Sequence, residues 1–196
     1  MVADQAPSRR GRPRDAAIDR AVVDACGELL AEVGREALSR EKVARRARVS
    51  VMAVYRRFAS VEELLVRVAS TPLPRRTAPR DTGTLRGDLT DLLRRRIGLL
   101  IHPAAVRGAA ELLAAAAGSE PVRRSMLVSL AKRREETLEV LRRGAQRGEL
   151  RGDADLDLIM DMLEGLVYYR LLWRSAPLEV MEIEGVLDAV LQGAAP

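Results

Sequence analysis

Apolar residues recur every three or four positions along most of this chain, and no run alternates apolar with polar residues. That spacing places apolar side chains on one face of an α-helix, whereas strict alternation would indicate a strand. The first such stretch covers residues 15–33, and Gly34 follows it where a left-handed residue would end a helix. Its apolar face consists of Ile18, Val22, Ala25, Cys26, Leu29, Leu30 and Val33. We therefore predict an all-α protein.

Two short amphipathic stretches follow, at residues 40–46 and 51–57. Ser39 and Ser50 precede them, and a serine at that position caps free N–H groups of the first helical turn. Ser60 stands three residues before a glutamate, which is the capping-box pattern for another helix. The predicted buried seam between the two short helices consists of Val43, Ala44, Ala47, Val49, Val54 and Phe58.

Two such helices joined by a turn are typical of a helix-turn-helix, whose second helix enters the major groove of DNA. The candidate DNA contacts are Arg40, Arg48, Ser50, Val51, Met52, Ala53, Tyr55 and Arg56. Apolar side chains at 51–53 suit thymine methyl groups, and hydroxyl and guanidinium groups suit phosphates. We expect specificity to rest more on apolar contact and DNA shape than on bidentate hydrogen bonds.

The charge distribution agrees with a DNA-binding N-terminal third. The 196 residues include 33 basic and 28 acidic ones, a formal charge of +5. Residues 1–60 hold 13 basic and 8 acidic residues, and the rest of the chain is balanced. The excess thus coincides with the predicted helix-turn-helix, where release of counterions from phosphates favours it.

Residues 1–14 are polar and basic, and we predict a disordered arm. The segment Arg10-Gly11-Arg12-Pro13 resembles the core of an AT-hook, which lays arginines in a narrow minor groove. We expect Arg10 and Arg12 to contact DNA in this way. The alternative is a basic tail that touches phosphates without preference.

Several prolines and a glycine mark residues 71–84 as a linker. It separates a predicted DNA-binding domain at 15–70 from a helical domain at 85–196. The expected helices of the second domain cover residues 85–101, 104–117, 120 to about 144–148, 156–175 and 178–191. His102 precedes a proline, so we interpret it as part of a turn.

The predicted helix at 156–175 is apolar around most of its circumference, so it must be covered on two sides. We expect the second cover to be another copy of the chain, in a four-helix dimer interface. The candidate interface residues are Met160, Leu163, Val167, Leu171, Trp173, Ile183, Leu187, Val190 and Leu191.

A ligand pocket is expected among the apolar faces of the same domain, where methionine and tyrosine suit an adaptable cavity. The candidate pocket residues are Leu89, Leu93, Ile97, Leu113, Met126, Met162, Leu166 and Tyr169. Each of them is also explained as an ordinary core residue.

Spaced landmarks over residues 11–69 occur in a familiar order: GRPR, a first helix ending in LLAEVG, the short helix pair, and YRRF followed by SVEELL. In these respects the chain resembles the TetR/AcrR family of bacterial transcriptional regulators. The later segment GELRGDADLDLIMDMLEGLVYYRLL resembles a C-terminal domain of such regulators. The resemblance implies a homodimeric repressor that binds operator DNA and is released by a small molecule in the C-terminal domain.

The recognition helix departs from the family pattern. Many relatives carry polar residues where this chain has Val51 and Ala53, and a lysine where it has Val61. Arg48 replaces the usual turn glycine, which is unfavourable if the backbone there is left-handed.

Other functional classes find little support. The chain has one histidine, one cysteine, no metal-ligand cluster and no glycine-rich phosphate loop, so we expect neither an enzyme nor a bound metal or cofactor. A single cysteine, no apparent secretory signal and no long apolar run favour a cytoplasmic protein without a membrane partner. The alternative function is a protein-interaction module whose helix-turn-helix no longer reads DNA sequence. The apolar recognition face motivates it, and absence of any salt-sensitive binding to duplex DNA would favour it.

Overall fold

The computed structural model describes residues 13–71, 79–99, 103–173 and 180–194. Within these ranges the chain is helical and contains no strand. The helices are α1 Pro13–Val33, α2 Arg40–Arg46, α3 Val51–Tyr55, α4 Val61–Ser70, α5 Leu85–Leu99, α6 Pro103–Gly118, α7 Glu120–Gln146, α8 Leu156–Leu172 and α9 Val180–Gln192. The all-α prediction is confirmed. The predicted arm with Arg10 and Arg12, most of the linker, and His102 lie outside the described residues.

Local capping sets the helix boundaries where the sequence predicted them. The hydroxyl oxygens of Ser39 and Ser50 accept hydrogen bonds from the backbone N–H groups of Lys42 and Ala53, at 3.3 Å and 3.2 Å. Gly34, with a φ of 74°, ends α1 in the left-handed region. The second short helix ends at Tyr55, two residues earlier than predicted.

The capping box at the start of α4 forms with one difference. The Ser60 hydroxyl accepts from the Glu63 N–H at 3.1 Å, as predicted. The Glu63 carboxylate, however, accepts from the Ala59 N–H at 2.8 Å rather than from the N–H of Ser60. Both bonds satisfy N–H groups that the helix itself leaves free.

The N-terminal core is not closed by α1–α4 alone. Its buried cluster includes Val43, Ala44, Val54 and Phe58, as the sequence predicted, and Cys26 is fully buried among them. Ala115, Ala116 and Val122, from the end of α6 and the start of α7, complete the same cluster. The N-terminal half therefore packs directly onto the second half, which links the positions of the two.

A second cluster joins α5, α7, α8 and α9. Its largest fully buried side chains are Leu85, Leu89, Leu92, Leu141, Leu163, Ile183 and Leu187. Asp88 is buried beside this cluster, and its carboxylate accepts hydrogen bonds from the Thr82 N–H and from Arg143 and Arg147. The Asp88 group thus fixes the N-terminal turn of α5 against the C-terminal turn of α7.

Among the described residues, no single helix is long and apolar enough to cross a membrane. The pair Leu85–Gly98 and Pro103–Gly118, bent by 88°, passes by length and composition only when the two helices are taken together.

Candidate functional site

The recognition helix α3 presents an apolar surface to solvent. Met52 is 66% exposed, and Val51 and Tyr55 are each 42% exposed. Ser50 precedes them as the helix cap, with its hydroxyl bonded to the Ala53 N–H. Val54, on the opposite side, is fully buried and anchors the helix. The exposed residues lie where a helix-turn-helix meets base edges.

Ala53 corrects the list of expected contacts. It is only 8% exposed, because its position on the short helix turns the methyl group toward the body of the domain. The apolar surface of α3 is therefore made by Val51 and Met52, without the methyl group of Ala53.

Arg40 was expected to contact DNA, but its guanidinium group is bound within the protein. One of its guanidinium nitrogens donates to the carbonyl oxygens of Phe58 and Ala59, at 3.1 Å and 2.7 Å. The guanidinium also lies over the Tyr55 ring, 3.6 Å from the ring centre, and the arrangement is a cation–π contact. Arg40 thus joins the start of α2 to the segment that follows α3, and holds Tyr55 in place.

Glu41 completes this group, which sequence reasoning did not identify. The Tyr55 hydroxyl donates a hydrogen bond to the Glu41 carboxylate. This bond, with the backbone N–H of Glu41 and the Ser39 hydroxyl, lowers the pKa of Glu41 to about 2. The same bond raises the pKa of Tyr55. The tyrosine therefore stays neutral with a fixed ring, and Glu41 stays charged beside the recognition helix.

The turn between α2 and α3 contains a backbone of unusual conformation. Arg48 has a φ of 55°. Among the residues that the structure describes, it is the non-glycine residue whose φ is positive. This is the left-handed conformation in which the departure from the family's glycine was expected to be unfavourable. The conformation projects Arg48 from the tip of the turn into solvent.

The helix-turn-helix surface is strongly basic. Residues 40–57 contain seven basic residues and one acidic residue. Arg46 is engaged by Glu28 and Glu32, with N···O distances of 3.2 Å and 2.5 Å. By contrast, Arg45, Arg48 and Arg56 are exposed and form no ion pair with any described residue. These three charges are available for phosphates.

Side chains of α6 and α7 grip the backbone of the N-terminal half. The hydroxyls of Ser125 and Ser129 donate to the carbonyl oxygens of Val66 and Ala69 in α4, at 3.0 Å and 2.7 Å. Arg107 in α6 donates to the carbonyl oxygen of Ala31, near the end of α1, at 3.1 Å. Hydrogen bonds from the second half therefore tie α4 to α7 and the end of α1 to α6.

A cavity of about 520 Å³ lies between α7 and α8. This volume falls within the range of roughly 300–1,000 Å³ that is usual for small-molecule sites. The cavity is lined by Leu127, Leu130, Ala131, Arg134, Met160, Asp161, Glu164, Gly165 and Tyr168. The same stretch of α7 that holds α4 therefore forms one wall of the cavity.

The cavity is not built from the predicted pocket residues. Leu89, Leu93 and Ile97 are buried in the core of the second half. Met126 packs against the N-terminal cluster, Leu166 packs against the second cluster, and Leu113 is half-buried in α6. The other two, Met162 and Tyr169, are exposed on α8. Met160, by contrast, was expected at the dimer interface but lines the cavity.

The two faces of α8 are exchanged relative to the sequence-based assignment. Most residues expected at a dimer interface are instead buried in their own chain: Met160, Leu163, Val167, Ile183, Leu187 and Val190. Leu191 is half-buried against the same core, and the side chain of Leu171 lies outside the described part. Large apolar side chains are exposed on the other side, which we call the outer face of α8: Leu158, Met162, Tyr169 and Trp173. Trp173 was expected at the interface and does lie on this face, where it is 79% exposed.

Within the described residues, no group of histidine, cysteine and acidic side chains is placed to hold a metal ion. Burial raises the pKa of the Cys26 thiol to about 12. The thiol therefore stays protonated, and Cys26 is a core residue.

A helix-turn-helix packed onto a helical domain with its own cavity defines the class of regulators that bind DNA and small molecules. Two family models match the chain: "Bacterial regulatory proteins, tetR family" over residues 22–68, and "Tetracyclin repressor-like, C-terminal domain" over residues 79–190. The chain belongs to the TetR family of transcriptional regulators.

Individual relatives agree with the family models. The uncharacterised HTH-type transcriptional regulator YdeS of Bacillus subtilis (strain 168) is 32% identical over 174 residues, which cover 84% of this chain and 83% of YdeS. A crystal structure of a TetR family transcription regulator is 28% identical, with a TM-score of 0.66, and the match covers 91% of this chain and 99% of that one.

The transcriptional regulator FadR of Bacillus subtilis, solved in complex with stearoyl-CoA, has the same fold. Its TM-score is 0.69 at 18% identity, and the match covers 88% of this chain and 95% of FadR. At this identity the similarity concerns the fold alone.

Proposed function

We propose that this TetR-family regulator is a homodimeric repressor that binds operator DNA and is released by a small molecule bound between α7 and α8. The observation that carries the proposal is the surface of the helix-turn-helix. An exposed apolar helix, with Val51 and Met52 outward, is surrounded by exposed arginines that have no protein partner among the described residues. Phosphates would engage the arginines, and thymine methyl groups the apolar side chains.

We assign roles to the contact residues from their places on this surface. Val51 and Met52 contact bases, Ser50 contacts a phosphate, and Arg56 contacts either. Tyr55 contacts a phosphate by exchanging its hydrogen bond to Glu41 for one to a phosphate oxygen. Arg48 reaches a phosphate from the tip of the turn. Arg40 acts mainly through Tyr55, whose ring it holds. From their AT-hook-like sequence, we assign Arg10 and Arg12 to the minor groove.

A second copy of the chain is the proposed cover for the outer face of α8. Four large apolar side chains on this face, from Leu158 to Trp173, are between 48% and 79% exposed. Contiguous exposed apolar surface of this kind usually marks an interface. Gly185 and Ala189, one turn apart and exposed on the neighbouring α9, leave room for a partner helix to approach. Antiparallel packing of two such pairs would give a four-helix interface.

Release by a ligand follows from the position of α7. This helix lines the cavity through Leu127, Leu130 and Arg134, and holds α4 through Ser125 and Ser129. A ligand that displaces α7 would therefore move α4 and, with it, the recognition helix. In a dimer, this changes the separation of two recognition helices that must fit half-sites about 34–36 Å apart. We propose a domain division at residues 71–84; one family match ends at residue 68 and the other begins at residue 79.

Fluorescence anisotropy of the purified protein with labelled DNA from upstream of its own gene tests the proposal. A shuffled DNA and a salt series are measured in parallel. We expect preference for the native DNA at physiological salt, and an Arg56→Ala variant should bind more weakly with a smaller salt slope. Arg124→Ala is the matched control, because Arg124 is exposed on α7, away from the helix-turn-helix.

Two results would contradict the proposal. Equal, weak binding to both DNAs that is lost steeply with salt would mean that the arginines bind phosphates without reading sequence. Absence of salt-sensitive binding would instead favour a protein-interaction module with a helix-turn-helix that no longer reads DNA.

A further inference from the structure

The wall of the cavity between α7 and α8 combines an apolar surface with an unequal set of charges. Leu127, Leu130 and Met160 provide apolar area for the body of a ligand. Asp161 and Glu164 lie one turn apart on α8, so both carboxylates are on the same side of the cavity. Among the described residues that line the cavity, Arg134 carries the positive charge.

Arg134 is already engaged by two carboxylates. Its guanidinium donates to Asp161 at 2.7 Å and also to Asp157. These bonds, that to Asp161 first, raise the pKa of Arg134. An anionic ligand that approached Arg134 would have to displace at least one of these carboxylates and would meet the other.

Glu164 belongs to a second acidic cluster behind the cavity wall. It accepts hydrogen bonds from Arg96 and from the Thr137 hydroxyl, the latter at 3.2 Å. Arg96 also faces Glu136, with an N···O distance of 3.6 Å. The two clusters together contain two arginines and four carboxylates. Arg133, whose charge also acts on Arg96, reduces the excess to one negative charge among the described residues.

We infer that this cavity binds a lipophilic cation, an amine or quaternary ammonium with an aliphatic body, in preference to an organic anion of the same size. The apolar lining takes the body. The Asp161 carboxylate takes the positive head: it is 64% exposed, and its partner Arg134 is shared with Asp157, so the two carboxylates are not neutralised by one arginine. Tyr168 in the lining provides an aromatic ring to which a cation is attracted. The inference rests on the proposed function in placing the effector in this cavity.

Gly165 offers a way to locate the binding. A β-carbon built at Gly165 meets no atom within 4 Å, although this residue lines the cavity. A β-carbon can therefore be added here without a clash, and we expect a leucine side chain to occupy part of the cavity. Because Gly165 also lies between Met162 and Tyr169 along α8, light scattering checks that this variant keeps the oligomeric state of the parent.

The test is isothermal titration calorimetry of the full chain, without DNA, with three probes that share a twelve-carbon chain: dodecyltrimethylammonium, dodecanoate and dodecanol. All are used below their micellar concentrations. We expect the ammonium to bind about tenfold or more tightly than the carboxylate. Asp161→Asn should weaken ammonium binding by about threefold to tenfold, in line with a partly exposed charge pair. Arg134→Gln, which frees two carboxylates, should strengthen it.

Gly165→Leu should weaken the binding of all three probes. Asp153→Asn, on an exposed turn, should leave the affinity for each probe unchanged. Dodecanoate binding as tightly as the ammonium, or an Asp161→Asn variant with unchanged preference, would overturn the inference. So would a protein that binds none of the probes. Since the titration contains no DNA, these outcomes leave the operator-binding part of the proposed function untouched, and that part is tested separately by the DNA-binding experiments.

Discussion

The turn residue Arg48 allows stability and DNA binding to be separated by one substitution. With a φ of 55°, it holds a β-carbon in the left-handed region. This costs about 1–2 kcal/mol relative to the ordinary helical conformation. Glycine removes that cost but adds about 0.5–1 kcal/mol of chain entropy to the unfolded state. We therefore expect Arg48→Gly to raise the free energy of unfolding by about 0.5–1 kcal/mol.

For a chain of this length, the gain corresponds to a rise in Tm of about 1–4 °C. DNA binding should change in the opposite direction, because each helix-turn-helix loses one phosphate contact. The slope of log K against log salt should become shallower by about 0.9 per lost contact, or about 1.8 for a dimer. Thermal unfolding followed by circular dichroism and an anisotropy salt series measure the two effects.

Arg48→Ala is the matched control, since it removes the same charge and keeps the β-carbon. It should show the shallower salt slope without the gain in stability. A glycine variant no more stable than the alanine variant would refute the reasoning about backbone strain. An unchanged salt slope in both variants would refute the assignment of Arg48 to a phosphate.

Three further substitutions test other parts of the structure. Ser129→Ala removes one of the two hydrogen bonds from α7 to α4 and should reduce the effect of a bound ligand on operator affinity by about threefold, with Ser70→Ala as the control. An unchanged ligand effect in a Ser125→Ala, Ser129→Ala double variant would argue against this route. Asp88→Ala removes a buried carboxylate that accepts hydrogen bonds from Thr82, Arg143 and Arg147, and should lower the free energy of unfolding by about 1–3 kcal/mol in urea titrations. A loss below about 0.5 kcal/mol would mean that the arginines, which are partly exposed and have other partners, compensate fully. Met162→Lys places a charge on the outer face of α8 and should give monomers in light scattering. Glu139→Lys, on the exposed side of α7, is the control and should remain dimeric. A dimeric Met162→Lys protein would exclude the outer face of α8 as the interface.

The buried carboxylate also predicts the response to acid. Burial by itself raises the pKa of Asp88, but hydrogen bonds from Thr82 and Arg147 and the charge of Arg143 outweigh burial and hold the pKa below its ordinary value. A carboxylate with a lowered folded-state pKa stabilises fully above its unfolded pKa of about 3.9 and loses this contribution as the pH falls through the folded value. The stability of the parent protein should therefore fall more steeply below about pH 4 than that of Asp88→Ala.

Features that depend on neighbouring residues were predictable from the sequence. The caps at Ser39, Ser50 and Ser60 and the end of α1 at Gly34 follow from side-chain chemistry within a few positions. The seam between α2 and α3 follows from helical periodicity alone. The same periodicity covers most of the chain and predicts its all-α fold.

The orientation of α8 could not be predicted in this way. Because this helix is apolar around most of its surface, the pattern shows that two sides are covered but not which side faces the chain's own core. The choice is made by α5, α7 and α9, which bury Leu163 and Val167 and leave Met162 and Tyr169 outside. The sequence pattern therefore placed Met160 outside and Met162 and Tyr169 inside, which is the reverse of the structure.

Polar clusters between distant residues were also missed. The group formed by Arg40, Glu41 and Tyr55 depends on a turn that brings α3 back beside the start of α2, and no local pattern marks it. Asp88 could have been recognised, because it interrupts an apolar helical face between Leu85 and Leu92. A charged residue at such a position indicates a buried partner of opposite charge.

Hydroxyl-radical footprinting on the DNA upstream of the gene tests most directly the claim that a dimer reads an operator. We expect two protected half-sites related by two-fold symmetry, with centres one helical turn apart, about 34–36 Å. The same protection should be lost in the Met162→Lys variant at equal concentration. A single protected segment without symmetry, or uniform weak protection of any DNA, would contradict the account.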